Sequence, residues 1–195
     1  MISTDDRYAD DPQPWQTLQT REAFSNRWTG ILVDEVRLPN GRQYEYTRLR
    51  PAGVGVAVAA FNAAGQLLLE REYRHGVGEV IWQLPGGLVD PDEALADAGL
   101  RELLEETGYA PAVVDDATVR YFGYVWDNPG LGPTESHVVG VRNVRQVRAP
   151  SLEGTEFITL HWQDAAWVKD AVRTGLIRER TAVAAVAYLM LHDWI

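Results

Sequence analysis

The segment from Gly87 to Tyr109, GLVDPDEALADAGLRELLEETGY, most narrowly limits how this chain can fold. Asp90 and Pro91 suit a helix N-cap and the first helical position, and Glu93 completes the spacing of a capping box. Gly108 is the residue type that ends helices. A single apolar stripe runs between these signals: Leu95, Ala98, Gly99 and Leu103. The pattern predicts one amphipathic helix, whose stripe must pack against another layer of structure.

Three glutamates crowd the last turns of this predicted helix: Glu102, Glu105 and Glu106. Glu102 and Glu106 are one turn apart, and Glu105 lies roughly 60° from Glu102 on the other side. Like charges at this spacing repel, and the C-terminal end of a helix disfavours anions. A divalent cation would remove both penalties. Carboxylate oxygens suit Mg²⁺ or Mn²⁺, and a site with few protein ligands suits Mg²⁺, which also takes substrate phosphates.

A solvated acidic helix face is the alternative interpretation of the same residues. Arg101 can form ion pairs at i,i+4 spacing with Asp97 before it and Glu105 after it, which would neutralise part of the charge. Taken alone, three clustered glutamates favour this alternative over a metal site.

Most of the remaining chain has the apolar spacing of β-strands. The predicted strands include 31–33, 43–47, 54–61, 66–73, 80–84, 118–126, 136–144 and 156–162. Two more helices are predicted, at about 163–174 and 178–194. Because strands and helices do not alternate regularly, a mixed sheet flanked by helices is favoured over a doubly wound fold. We predict an N-terminal arm with a β-rich extension over residues 1–50, followed by the main domain over 51–195.

Composition excludes several function classes. The formal charge of −10, from 28 acidic and 18 basic residues, argues against charge-driven binding of nucleic acid. The absence of cysteine excludes a disulfide scaffold, a thiolate zinc site and cysteine catalysis. No apolar run approaches the length of a membrane span, and from the acidic start of the sequence we expect no signal peptide. We therefore expect no membrane partner and a cytoplasmic protein.

The segment 87–109 resembles the signature of the Nudix hydrolase family at every fixed position. That signature is a glycine, five residues, a glutamate, seven residues, Arg-Glu-aliphatic, one residue, Glu-Glu, one residue and Gly-aliphatic. The matching residues are Gly87, Glu93, Arg101, Glu102, Leu103, Glu105, Glu106 and Gly108. Tyr109 occupies the last position, where an aliphatic residue is commoner. Eight constrained positions at fixed spacing make a chance match a poor explanation.

The resemblance implies an α+β Nudix fold, an α/β/α sandwich around a mixed sheet. It also implies Mg²⁺- or Mn²⁺-dependent hydrolysis of a nucleoside diphosphate linked to another moiety. By matched position, Glu102, Glu105 and Glu106 would ligate metal together with the carbonyl of Gly86. Glu105 and Arg101 would act in catalysis, Arg101 by orienting a glutamate. Metal ions suit this chemistry because they neutralise pyrophosphate oxygens and activate water, and the general base should be a carboxylate nearby.

Features outside the signature resemble the ADP-ribose pyrophosphatase branch, which includes relatives that cleave other nucleotide sugars. They are the β-rich extension, the run LEREYRH before WQLPGG, and Asn128-Pro129-Gly130 ahead of a predicted strand. In that branch an arginine on the strand before the signature contacts substrate phosphate, and Arg74 matches it. A glutamate after the Pro-Gly loop can serve as base or extra ligand, and Glu135 is the candidate. The alternatives are an exposed strand-end arginine and an exposed loop acid.

Aromatic residues of the extension offer a surface for a nucleobase. Trp28, Tyr44 and Tyr46 are able to stack on bases, although aromatic residues in such a segment also serve as core or interface. We predict Trp28 and Tyr46 as substrate contacts. The resemblance implies that the extension packs across a twofold axis, and C2 is the commonest symmetry, so we predict a homodimer.

Three functions are compatible with the sequence. The first is hydrolysis of ADP-ribose to AMP and ribose 5-phosphate. The second keeps the chemistry but acts on another nucleotide, such as GDP-mannose, a dinucleoside polyphosphate or an oxidised nucleotide. The third is a Nudix module that senses a nucleotide without turnover. The intact signature disfavours the third, as does the lack of a helix-turn-helix motif or a basic patch.

Overall fold

The computed structural model describes residues 11–51 and 53–195. Within these residues there are twelve strands and three helices, which confirms the predicted α+β class. The described chain separates into two compact units. The first unit contains the described residues before 53 together with Asn128–Gly132. The second unit contains residues 53–127 and 133–195.

The first unit is built on a three-stranded antiparallel sheet in the order β1-β2-β3. Its strands are β1 (Gln16–Ser25), β2 (Gly30–Arg37) and β3 (Gln43–Leu49). Asp34 on β2 is buried, and it accepts hydrogen bonds from Arg48 Nε at 2.6 Å and from Thr20 Oγ1 at 2.6 Å. These bonds, above all the one from Arg48, hold the pKa of Asp34 below its usual range. One carboxylate therefore links all three strands.

The second unit contains nine strands arranged in three sheets, as far as residues 53–127 and 133–195 show. They are β4 (Gly55–Ala60), β5 (Leu67–Arg74), β6 (Glu79–Gln83), β7 (Gly86–Leu88), β8 (Tyr109–Pro111), β9 (Val119–Trp126), β10 (Glu135–Val141), β11 (Val144–Gln146) and β12 (Ile158–Gln163). The central sheet has the order β7-β4-β10-β9 and is mixed, because β10 runs parallel to β4 while the other pairs are antiparallel. Antiparallel pairing gives the order β12-β5-β6 in a second sheet and joins β11 to β8.

Helices cover both faces of the central sheet. They are α1 (Leu95–Thr107), α2 (Ala165–Arg173) and α3 (Arg180–Leu191). Alternate residues of β4 enter two separate cores, as expected for a strand buried on both faces. Val58 packs in the core that contains Leu103 of α1, whereas Ala59 packs in the core that contains Leu189 of α3. This layering confirms the predicted sandwich. None of the described helices is long and apolar enough to cross a bilayer.

The first helix begins later than the sequence pattern predicts. The sequence pattern predicts an N-cap at Asp90 and a first helical residue at Pro91, but α1 begins at Leu95. Asp92 has φ of +65°, in the left-handed region, which no α-helix can include. The Glu93 carboxylate accepts a hydrogen bond from the backbone N–H of Asp90 at 3.1 Å, so one half of the capping-box pair closes a turn ahead of the helix.

The predicted C-terminal stop of this helix is confirmed at Gly108. Gly108 has φ of +76°, and its N–H donates to the carbonyl of Leu104 at 3.0 Å. A Cβ added at Gly108 would lie 2.1 Å from the backbone oxygen of Arg148. Both the backbone conformation and the close approach of the chain therefore require glycine at this position.

We expect Gly108→Ala to destabilise the fold more than Gly175→Ala does. Gly175 also has positive φ, but nothing lies within 4 Å of an added Cβ there. Gly175→Ala should cost about 1–2 kcal/mol for left-handed backbone alone. Gly108→Ala should cost at least about 1 kcal/mol more, because the methyl group also meets backbone. Urea unfolding of both variants measures the difference, and equal losses would contradict the close approach at Gly108.

Candidate active site

Arg101 organises the acidic end of α1. Its guanidinium donates to both Glu93 oxygens at 2.9 Å, to Glu102 Oε1 at 2.8 Å and to Glu105 Oε2 at 3.2 Å. It also donates to the carbonyl of Leu88 at 2.9 Å. Hydrogen bonds from Arg101 lower the pKa of Glu93, and those to the glutamates raise the pKa of Arg101. The structure thus brings Arg101, Glu102 and Glu105 together, as the sequence predicts.

Glu106 points into the protein. Its side chain is buried, and Oε2 accepts a hydrogen bond from the backbone N–H of Gly86 at 2.7 Å. Burial, followed by the negative charge of Glu70, raises the pKa of Glu106 to about 9. Burial also raises the pKa of Glu102, and the negative charge of Glu156 adds to this increase. Glu106 therefore has too little positive charge around it to be ionised at no cost, whereas Glu102 is paired with Arg101.

Gly86 and Gly87 on β7 lie directly against these carboxylates. A Cβ added at Gly87 would be 2.5 Å from Glu102 Oε1, so the missing side chain leaves room for that carboxylate. Gly86 binds Glu106 through its N–H group. Metal ligation by the carbonyl of Gly86 stays a prediction.

Glu70 on β5 is a buried acidic residue that the sequence analysis missed. The residue is 0% exposed, and its Oε2 lies 3.4 Å from Gln83 Nε2. Its Oε1 is buried and has no hydrogen-bond partner within the described part of the chain. Burial raises the pKa of Glu70 to about 7, and the charges of Glu72 and Glu156 add to this effect. The available signal was a glutamate directly after the apolar run 67–69 in a strand.

The donor chemistry fits a divalent cation. A hard cation would satisfy both the buried Glu106 carboxyl group, whose pKa is raised by the charges of Glu70, Glu102 and Glu156, and the unpartnered carboxylate oxygen of Glu70. Among residues 11–51 and 53–195, no three Asp, Glu or His side chains are gathered closely enough to hold an ion as they stand. In this arrangement Arg101 engages Glu102 and Glu105, while Gly86 engages Glu106. Their ligation of metal stays a prediction.

A cavity of about 360 Å³ in the second unit adjoins these residues at Gly86 and Gly87. Its polar and charged lining consists of Arg74, Gln83, Ser136, Glu179, Arg180 and Thr181. Arg180 forms an ion pair with Asp127 at 2.9 Å, and Ser136 donates to the same carboxylate at 2.6 Å. Two arginines at one cavity suit an anionic ligand such as a phosphate ester.

Arg74 is held in place by its neighbours on the sheet. Its Nε donates to Gln83 Oε1 at 2.9 Å and lies 3.1 Å from Glu72 Oε2. The side chain is 51% exposed and lines the cavity. The structure thus places Arg74 beside the glycines that contact the acidic residues, where a phosphate contact is feasible, and the contact itself stays a prediction.

Glu135 lies at the start of β10, in a line of polar contacts. Its Oε2 is 3.3 Å from His137 Nε2, and His137 Nδ1 is 3.0 Å from the hydroxyl of Tyr121.

Glu156 was missed as a candidate because its sequence position indicated only the start of a strand. Its charge raises the pKa of both Glu102 and Glu106. The catalytic role of Glu135 stays a prediction, and Glu156 is a second candidate for the same role.

The predicted base-stacking residues belong to the first unit. Trp28 is 72% exposed, and the guanidinium of Arg27 lies 4.6 Å from the centre of its ring. The hydroxyl of Tyr46 donates to the carbonyl of Gly130, and its ring packs edge-on against Trp15 at 5.8 Å. Trp28 thus leaves much of its ring accessible, whereas Tyr46 is engaged within the unit. Base stacking by either residue stays a prediction.

Comparison with known proteins identifies the family. The family model described as "NUDIX domain" matches residues 51–183. A second model, described as "Nucleoside diphosphate sugar hydrolase N-terminal domain", matches residues 15–49. The chain belongs to the Nudix family, which confirms the prediction made from the signature.

Individual relatives match nearly the whole chain. An ADP-ribose pyrophosphatase of Bacillus subtilis is 28% identical over 179 residues, covering 91% of this chain and 94% of its own. A methanol dehydrogenase activator of Bacillus methanolicus is 27% identical with the same coverage. A crystal structure described as an ADP compounds hydrolase superimposes with a TM-score of 0.80 at 22% identity, covering 95% of this chain and 96% of that one. This likeness confirms the Nudix fold.

We expect the stability difference between Glu106→Gln and the metal-free wild type to grow with pH. A carboxyl whose folded pKa is about 9, against 4.5 normally, keeps its proton in the folded state while the unfolded chain loses it. The wild type therefore loses stability as pH rises through this window, and glutamine, which does not titrate, does not. From about pH 6 to about pH 8, the unfolding free energy of the variant should rise by about 2–3 kcal/mol relative to that of the wild type.

Denaturant unfolding in EDTA measures this difference. Glu105→Gln is the matched control, because the Glu105 side chain is 45% exposed. Its stability relative to the wild type should stay nearly constant over the same range. A constant difference for Glu106→Gln as well would contradict the buried position of that carboxyl group.

Proposed function

We propose that the protein is an Mg²⁺- or Mn²⁺-dependent pyrophosphohydrolase of nucleoside diphosphate sugars that converts ADP-ribose to AMP and ribose 5-phosphate. One observation carries the proposal. At Gly86 and Gly87 an arginine-lined cavity meets the carboxylates of the family signature. A diphosphate needs both, since arginine recognises its oxygens and a carboxylate-bound cation neutralises them.

Each side chain has a separable role in the proposed reaction. Arg74 binds a phosphate of the substrate, and its contacts with Gln83 and Glu72 keep the guanidinium in position. Glu102, Glu105 and Glu106 hold the cation with the carbonyl of Gly86. Arg101 fixes Glu102 and Glu105 through its fork of hydrogen bonds. When bound, the cation lowers the pKa of the attacking water and screens the phosphate charge.

A carboxylate accepts the proton of the attacking water. Glu135 is the candidate from the sequence, and its contact with His137 would hold it in one orientation. Glu156 is the alternative, supported by its electrostatic effect on Glu102 and Glu106. The two candidates differ in one testable respect. Only the substitution of the true base should remove the lower apparent pKa from the pH–rate profile.

The choice of ADP-ribose is supported by relatives. Similar proteins from Bacillus subtilis, Saccharomyces cerevisiae and Mycobacterium tuberculosis are described as ADP-ribose pyrophosphatases, at 28% or 29% identity. Residues 15–49 match a domain described for nucleoside diphosphate sugar hydrolases. Trp28 and Tyr46 are proposed to contact the nucleobase. The alternatives to ADP-ribose are other nucleotides that would be cleaved by the same pyrophosphate hydrolysis, including GDP-mannose and dinucleoside polyphosphates.

We further propose that the protein is a homodimer through its first unit. All ten residues of β1 are exposed within the single chain. The unit also exposes large apolar side chains: Trp15, Leu18, Phe24, Trp28, Tyr44 and Leu49. So much exposed apolar surface in one small unit is typical of an interface, and a second copy of the chain is the occupant that C2 symmetry favours.

Hydrolysis of ADP-ribose should depend on the signature glutamates. With Mg²⁺ present, Glu105→Gln and Glu106→Gln should each lower kcat on the order of 100-fold or more, because each removes a charge at the proposed cation. Chromatographic detection of AMP and ribose 5-phosphate measures the rate. Asp116→Asn, at an exposed residue, is the control and should leave kcat unchanged. Unchanged kcat in both glutamate variants would refute the mechanism.

A panel of nucleotides separates the substrate alternatives in the same assay. Faster release of monophosphate from GDP-mannose or a dinucleoside polyphosphate would move the assignment away from ADP-ribose. Tight binding of ADP-ribose without turnover in Mg²⁺ or Mn²⁺ would instead indicate a sensor.

The variants Glu135→Gln and Glu156→Gln identify the general base. The variant that loses the acidic limb of the pH–rate profile is the one in which the base has been replaced.

Phe24→Asp should convert the proposed dimer to a monomer. Phe24 on β1 is 50% exposed in the single chain, and a buried charge at an interface is strongly unfavourable. Light scattering after gel filtration should give twice 21.8 kDa for the wild type and 21.8 kDa for the variant. Val114→Asp, at an exposed valine of the second unit, is the matched control and should stay dimeric. A monomeric wild type would contradict the proposal.

A further inference from the structure

We propose that Glu70 is an additional carboxylate ligand of the divalent cation, supplied by β5 from outside the family signature. The inference rests on the proposed function, because it adds a residue to the same cation site. It assigns a role to the one buried side-chain oxygen that has no partner in the described chain.

The fold directs Glu70 toward α1. Leu68 of β5 packs in the same core as Leu103 of α1. Residues two apart on a strand share a face, so Glu70 faces the same side as Leu68. Residues three apart on a helix are neighbours, so Glu106 lies beside Leu103, and it is buried there. Two buried carboxylates, one on the strand and one on the helix, therefore border the same space.

The protein does not supply enough hydrogen-bond donors for Glu70. The amide of Gln83 lies 2.8 Å from Glu72 Oε2 but 3.4 Å from Glu70 Oε2, so the better bond goes to Glu72. Arg74 contacts Glu72 and the oxygen of Gln83. Glu70 Oε1 is buried and has no hydrogen-bond partner among residues 11–51 and 53–195. Buried carboxylates in proteins are normally paired or bound to metal, and a cation would meet this requirement.

Local charge agrees with this assignment. The negative charge of Glu70 is the largest charge contribution raising the pKa of Glu106, and Glu156 raises the pKa of both. A cation placed between Glu70 and Glu106 would remove this repulsion from both residues together. The competing explanation is a protonated Glu70 with a purely structural role, and it makes a different prediction for metal binding.

Titration of the full-length protein with Mn²⁺, followed by electron paramagnetic resonance, tests the inference without any substrate. Glu70→Gln is nearly isosteric and should weaken Mn²⁺ binding at least about tenfold, as Glu106→Gln should. Glu79→Gln is the matched control, since Glu79 lies on the neighbouring strand β6, is 55% exposed and pairs with Arg178. It should change the affinity by less than about threefold. Wild-type affinity in Glu70→Gln would overturn the inference.

Thermal unfolding gives a second readout and checks that the variants fold. In EDTA, Glu70→Gln should unfold at a higher temperature than the wild type, because it removes a buried carboxyl that resists ionisation. Added Mn²⁺ should raise the Tm of the wild type and of Glu79→Gln, but it should raise the Tm of Glu70→Gln much less. Equal Mn²⁺-induced shifts in all three proteins would contradict ligation by Glu70.

The outcomes separate this inference from the proposed function. If the wild type hydrolyses ADP-ribose and Glu106→Gln loses Mn²⁺ while Glu70→Gln retains it, only the role of Glu70 is wrong. If the wild type neither binds Mn²⁺ nor hydrolyses any nucleotide, both proposals are wrong. Glu70→Asp, which keeps the charge but shortens the side chain, should bind Mn²⁺ with intermediate affinity if Glu70 is a ligand.

Discussion

The repulsion among buried carboxylates between β5 and α1 is the constraint on which the rest of the site depends. Glu106 and Glu70 are both withdrawn from water, and each is costly to ionise there. Arg101 neutralises the more exposed Glu102 and Glu105 but leaves this buried pair to itself. Without a nearby positive charge, these two carboxyl groups destabilise the folded state. A divalent cation bound between them would stabilise it.

The sandwich fold places these buried carboxylates next to the proposed substrate cavity. The central sheet is buried on both faces, so helix α1 is fixed against β4 and β7. Gly86 and Gly87 on β7 contact the carboxylates directly and also line the cavity. Because these two small residues adjoin both features, the proposed function would place a diphosphate in the cavity beside a cation held by the carboxylates.

Local sequence predicts the residues of this site more reliably than their surroundings. The signature spacing predicts the contacts of Arg101 with Glu102 and Glu105 and the helix end at Gly108, because these contacts lie within about one helical turn. The predicted start of the helix was wrong. Glu93 binds Arg101, eight residues later, and its carboxylate closes a turn before the helix, so α1 begins only at Leu95. Glu70 was missed because no local pattern tells which layer a strand residue faces. That choice depends on which of the two cores each face of β5 enters, which is tertiary information.

Gln83 connects the two halves of the proposed chemistry. Its oxygen accepts a hydrogen bond from Arg74, and its amide group is shared between Glu72 and Glu70. A cation bound by Glu70 would release the Gln83 amide to Glu72 alone, and this would tighten the network that orients Arg74. Metal binding and phosphate binding would then assist each other through one buried side chain. Coupling of this kind needs no conformational change, because both sites act on the same few hydrogen-bond donors.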